Sequence, residues 1–193
     1  IMRWWLWRKV STFEHRARFS FEILQSIKVF AGTMMLITLT AMIISQMDKM
    51  ILSRLISLES FGFYTLAWTL ASGLSRLSSP LIQAFSPQFT ESVSKGNDEA
   101  LVKQVRLASQ LISTLIIPPA TLIMFLAEPL LLAWLGNETT SEGVAPILTI
   151  MVVGAVFTNC SYPALSVLYS KKRLRPVLTV NLICLVILLP LLM

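Results

Sequence analysis

Between residues 65 and 86, polar side chains recur at spacings of four and three: Thr65, Thr69, Ser72, Arg76, Ser79, Gln83 and Ser86. That spacing stacks them on one face of a helix. Leu66, Leu70, Leu74, Leu77 and Leu81 take other positions of the same stretch. An arginine near the middle of an apolar segment is costly in a bilayer unless it is hydrated or paired. A hydroxyl and amide stripe around it supplies that hydration, so the pattern predicts the wall of a water-filled cavity. The planar fork of arginine matches two oxygens of a phosphate. Arg76, Ser72, Ser79 and Gln83 are therefore candidate contacts for an anionic, phosphate-bearing substrate, together with the intramembrane Lys49. The competing arrangement uses serine and threonine as small packing residues and pairs Arg76 with a buried acid.

The preceding apolar stretch carries SQMDKMILSR, with Asp48 and Lys49 toward its outer third and Arg54 near its boundary. Ser45, Lys49 and Ser53 share a face, and Asp48 points about 100° away from Lys49. Asp48 is a candidate site for a coupling proton or sodium ion. Its other role would be that of a counter-ion keeping Lys49 or Arg76 charged. Arg54 can snorkel to the outer headgroups. Pro118 and Pro119 remove adjacent backbone donors in mid-segment, so a bend is expected near Pro118. Gly154 and Pro163, flanking Thr158, Asn159, Ser161 and Tyr162, mark a second breakable stretch and candidate hinge.

Other chemistry is excluded by residue type. His15 is the only histidine and has no cysteine or histidine neighbours, so no metal site is expected. Cys160 and Cys184 lie in apolar runs and read as small buried hydrophobes, without a disulfide. No cofactor is expected. The net charge of +6 does not indicate nucleic acid, because the basic residues sit between apolar runs and not on one amphipathic face.

These residues need elements to hold them, and composition says which. Hydrophobic residues make up 55% of the 193-residue chain and charged residues 13%, against roughly 25% charged in soluble domains. Mean hydropathy is +0.72. Apolar runs alternate with short charged clusters, as a bilayer imposes. An all-α, polytopic transmembrane bundle follows, with about five spans near residues 29–56, 61–85, 107–127, 144–169 and 176–193, the last truncated. Residues 1–28 are basic and read as an interfacial segment, amphipathic from Phe19 through Ile27. Lysine and arginine concentrate before residue 29, between 88 and 106, and at Lys171–Arg175, whereas 128–143 carries Glu128, Glu138 and Glu142 and no cation. The basic segments are therefore expected on the cytoplasmic side. Ile1 is not a natural start, so the chain is expected to be a piece of a longer transporter.

The stretch QMDKMILSRLISLESFGFYTLAW resembles the polysaccharide-transporter family (Wzx-type O-antigen flippases) of the multidrug/oligosaccharidyl-lipid/polysaccharide exporter superfamily. The similar features are an Asp-Lys pair ending a long span, a Leu-Ser-Leu-Glu linker, a Phe-Gly-Phe-Tyr entry and a serine-rich span. AEPLLLAWLGNE is similar to that family's outer loop and YSKKRLRP to its basic turn; the resemblance covers most of the chain from about Lys28. It implies a two-lobed fold of about twelve to fourteen spans, of which this chain would be the start of the second lobe. It further implies a flippase of a bacterial cytoplasmic membrane. The partner would be a polyprenyl-diphosphate-linked oligosaccharide for surface polysaccharide, O-antigen or capsule, moved by alternating access.

A cation-coupled multidrug exporter is the nearest alternative. It should favour buried acids, yet the spans hold Asp48 against Lys49, Arg54 and Arg76. A peptidoglycan-precursor flippase fits the charge equally well. A membrane glycosyltransferase or polymerase needs an acidic catalytic cluster. The longest loop, about 87–106, has only Asp98-Glu99 beside a Gly-Asn turn, so an enzyme is not expected.

Overall fold

A computed structural model describes residues 21–188 and residue 190. These residues form α1 (Phe21–Leu55), α2 (Leu58–Ser94), α3 (Asp98–Leu135), α4 (Glu138–Ser170) and α5 (Arg175–Leu188), and no strand occurs among them. The chain is an all-α helical bundle. His15 and most of the basic segment at 1–28 lie outside the described residues; from Phe21 onward that segment is already part of α1.

Three of the helices are long and apolar enough to cross a membrane: Ile27–Leu55 within α1, α3 and α4. They mark the chain as a membrane protein. The other two expected spans fall on α2 and α5. Helix α2, with 37 residues, carries the polar stripe, and the described part of α5 has 14 residues.

The turns between helices are chemically specified. Gly96 has φ 66° and Gly136 φ 65°, and each closes a helix in the left-handed region that glycine enters without a steric cost. Each is followed by an asparagine that starts the next helix. The Asn97 side chain accepts from the Ala100 N–H at 2.9 Å, and that of Asn137 from the Thr140 N–H at 3.1 Å. Ser57 caps α2 in the same way, accepting from the Ser60 N–H at 3.2 Å.

Helices α2, α3 and α4 pack into the core, and α1 pairs mainly with α5. On α2 the buried residues are Ala67, Ala71, Leu74, Ser78, Phe85, Phe89 and Ser92, a seam with heptad-like spacing. It meets Ala108, Ile112, Ile116 and Ala120 of α3 and Val144, Leu148 and Val152 of α4. The alanines allow the backbones to approach, which is how helices associate where lipid offers no hydrophobic drive. Gly143 works likewise: a Cβ there would stand 2.5 Å from the Phe63 ring. The α1–α5 pair is pinned by Asn181, whose amide donates to the Thr40 hydroxyl at 3.3 Å and to the Ile37 carbonyl at 3.4 Å.

Several local expectations need correction. The break in α3 is not at Pro118-Pro119. Only Leu126 leaves helical dihedrals, with φ −117° and ψ 22°. It stands three residues before Pro129, whose ring crowds the preceding turn and leaves the Phe125 carbonyl without its N–H. Around Pro118 and Pro119, the core residues Ile116 and Ala120 hold the turn in helical geometry. Nor is α4 broken at Gly154 or Pro163; it is one helix throughout, with Pro163 buried against its neighbours. Cys160 and Cys184 are exposed, not buried; the Cys160 thiol lies 3.8 Å from the Ser113 hydroxyl of α3, at the edge of the α3–α4 contact.

Candidate functional site

The polar stripe of α2 lies two positions out of phase with the buried seam. At about 100° per residue this is about 200°, the opposite side of the helix. Packing therefore turns Arg76, Gln83 and Thr69 outward, where they are exposed. Next to them lies a cavity of about 530 Å³ lined by Ser75, Arg76, Ser79, Gln83 and Tyr162 with Pro80 and Ile82. The Gln83 amide donates to the Ser79 hydroxyl at 2.9 Å. This fixes the Gln83 side chain along the wall that Arg76 also lines.

Of the predicted substrate contacts, Arg76, Ser79 and Gln83 come together at this cavity and Ser72 and Lys49 do not. Ser72 spends its hydroxyl on the Thr69 carbonyl at 2.7 Å, within its own helix. Lys49 sits on α1, its ammonium 3.7 Å from the centroid of the Trp68 ring, a cation–π contact. Trp68 is eight residues, about 12 Å of helix, from Arg76.

Asp48 is in no ion pair among the described residues. The ion pairs among the described residues are Glu91–Lys95 and Asp98–Lys171, and neither Arg76 nor Lys49 is in one. Asp48 instead accepts from the Tyr64 hydroxyl and, at 2.8 Å, from the backbone N–H of Lys49. The pairing fails for a geometric reason: consecutive residues point about 100° apart on a helix, and Asp48 turns toward α2 where Tyr64 waits.

One wall of the cavity rests on a polar junction in which sequence reasoning missed Ser75 and Ser78. Asn159 of α4 is fully buried. Its carbonyl oxygen accepts from the Ser78 hydroxyl. Its amide donates to the Ser75 hydroxyl at 3.2 Å and to the Ala155 carbonyl at 2.7 Å. Every polar atom of the asparagine is thus used, as burial requires. Further along the same interface Ser86 meets Ser166 at 3.0 Å and Thr90 meets Ser170 at 3.3 Å. The available signal was the lone amide of Asn159 in an apolar run: such a group must find partners on a facing helix, and Ser75 and Ser78 are one turn apart.

No group of three or more histidine, cysteine, aspartate or glutamate residues that could hold a metal occurs among the described residues. The described site offers a guanidinium, hydroxyls, an amide and a phenol, a set suited to an anion with several acceptor oxygens.

Residues 1–141 match a family model described as "Polysaccharide biosynthesis protein". No curated protein matches the chain, and no solved structure does. With the match extending from the N-terminus through α1, α2 and α3 into the start of α4, the chain belongs to the family of polysaccharide biosynthesis proteins.

Proposed function

We propose that this chain is part of a flippase that carries a polyprenyl-diphosphate-linked oligosaccharide across the cytoplasmic membrane of a bacterium during surface-polysaccharide assembly. The observation that carries the reading is Arg76: a guanidinium midway along a helix packed against two membrane-length helices, outside the ion pairs above, on the wall of a cavity that also presents Ser75, Ser79, Gln83 and Tyr162. A cavity of 530 Å³ falls within the range of small-molecule sites, about 300–1,000 Å³. It accepts a diphosphate with the adjoining sugar while the polyprenyl tail stays in lipid. The diphosphate brings a negative charge that no acid among the described residues supplies to Arg76. Ser79 and Gln83 share its oxygens, and Tyr162 flanks them.

The test separates transport from synthesis. In cells lacking the protein, the lipid-linked oligosaccharide should still be made and should accumulate on the cytoplasmic leaflet. Failure to make it at all would overturn the flippase reading in favour of an enzyme.

The orientation proposed with this function places the 88–106 and 171–175 segments inside and 128–143 outside. The Asp98–Lys171 ion pair, 3.7 Å long, joins the two basic turns at one end of the bundle, in keeping with one leaflet for both. A cysteine placed at Lys103 should resist an impermeant thiol reagent in intact cells and react after lysis. Labelling without lysis would reverse the orientation.

A further inference from the structure

Helices α2 and α4 end in the same hydrogen-bonded motif but with different residues. At the end of α2, Gly96 N–H donates to the Val93 carbonyl at 3.2 Å and Asn97 N–H to the Ser92 carbonyl at 3.0 Å. At the end of α4, Lys172 N–H donates to the Tyr169 carbonyl and Arg173 N–H to the Leu168 carbonyl, both at 3.0 Å. The left-handed position is glycine in the first and Lys172, with φ 54°, in the second. A side chain there bears a steric cost that glycine does not. Such positions cluster where a side chain is needed in one direction.

Lys172 lines a cavity of about 270 Å³ between α1, α2 and α4, together with Ser86, Thr90, Ser166, Ser170 and Tyr169. Lys171, its neighbour, is drawn the other way to Asp98. Phe30 and Met34 of α1 close the remaining side. Tyr169 is shared with a second cavity of about 390 Å³, lined by Ile37 of α1, Leu165 and Leu168 of α4, and Val177 and Val180 of α5. One side of Tyr169 is thus a cation with four hydroxyls, and the other is an apolar groove.

The geometry points to a binding site for one anionic phospholipid, its phosphate at Lys172 and an acyl chain along the groove between α1, α4 and α5. Lysine is a point-charge partner for phosphate. Thr90 and Ser170 donate to the Ser86 and Ser166 carbonyls and Ser86 and Ser166 bond each other, which leaves one hydroxyl proton of that pair for a phosphate oxygen. The charged end of the site lies in a turn that also carries Arg173 and Arg175, the kind of segment that meets an anionic leaflet. The compartment at Lys172, about 270 Å³, is smaller than the ~300 Å³ at which small-molecule sites begin. That admits a single phosphate head and excludes a glycan, so this site is separate from the Arg76 cavity and does not depend on the function proposed for it. Its structural effect would be to bridge α1 to the three-helix core, which α1 otherwise touches little.

The test is native mass spectrometry of the delipidated protein in detergent, offered phosphatidylglycerol or phosphatidylcholine. Wild type should retain phosphatidylglycerol in preference to phosphatidylcholine. Lys172→Gly should retain it about fivefold less, the loss expected of one basic residue near a lipid surface. Its unfolding temperature without added lipid should be equal or higher, because glycine suits the left-handed position. Lys172→Arg should restore retention. Val180→Trp, which fills the exposed groove, should lower retention with Lys172 intact, and this keeps the proposal open to refutation if Lys172→Gly misfolds. Undiminished retention by Lys172→Gly or by Val180→Trp would overturn the site, as would equal retention of phosphatidylcholine. Displacement of phosphatidylglycerol by a polyprenyl diphosphate would overturn it in favour of a substrate subsite.

Discussion

Replacing Arg76 with alanine is expected to lower surface-polysaccharide export at least about tenfold, at unchanged abundance of the protein in the membrane. The magnitude follows from the ~1.5–3 kcal/mol carried by a hydrogen bond to a charged group, lost here with a fork that could make two. Arg76 is exposed on the side of α2 away from the seam, so its removal creates no hole in the core. Arg76→Lys keeps the charge and loses the planar fork; an intermediate loss is expected. The decisive quantity is exported polysaccharide divided by membrane-protein level. Normal export by Arg76→Ala at normal abundance would remove the arginine from the substrate path. If a fall in export merely tracked a fall in abundance, Arg76 would be a structural residue.

The second large effect is expected at Asn159, and it is on stability. Asn159→Ala removes the amide that links α4 to Ser75 and Ser78 of α2. The Ser75 oxygen then loses its donor, while the Ser78 hydroxyl falls back on the Ser75 carbonyl at 3.2 Å. Interhelical hydrogen bonds of this kind are worth about 0.6–2 kcal/mol each in membrane proteins, so a loss of about 1–3 kcal/mol is expected. Unfolding in detergent would measure it. Ser72→Ala is the matched control: its hydroxyl bonds only within its own helix, and a change within about 0.5 kcal/mol is expected. Combining Asn159→Ala with Ser78→Ala should cost less than the sum of the two, because they share a bond. Wild-type stability in Asn159→Ala would mean that the α2–α4 interface rests on its apolar contacts alone.

Much of this was legible in the residues. Apolar runs broken by charge specify helices in a bilayer, because every backbone group must be satisfied within its own segment. The spacing of Thr65, Ser72, Arg76, Ser79 and Gln83 identified one face of α2, since helical periodicity is a local property. The Gly-Asn pairs at 96–97 and 136–137 carry helix ends and starts in two letters each.

Other features depended on partners distant in sequence. Pro118-Pro119 looked like the bend, but a proline bends a helix only where neighbours allow it. Ile116 and Ala120 are packed, and the break went to Leu126 beside Pro129. Asp48 had Lys49 next to it in the sequence and Tyr64 next to it in space.

The sequence by itself determined the all-helical character, the membrane setting, the polar face of α2 and the basic turns, because each follows from composition or from contacts within a few residues. Only the tertiary structure decided which polar residues bind one another and which remain available. Asn159 took Ser75 and Ser78, Trp68 took Lys49, and Tyr64 took Asp48. Arg76 was left on its cavity wall, because the seam that buries Ala71, Leu74 and Ser78 points the opposite face of the same helix outward.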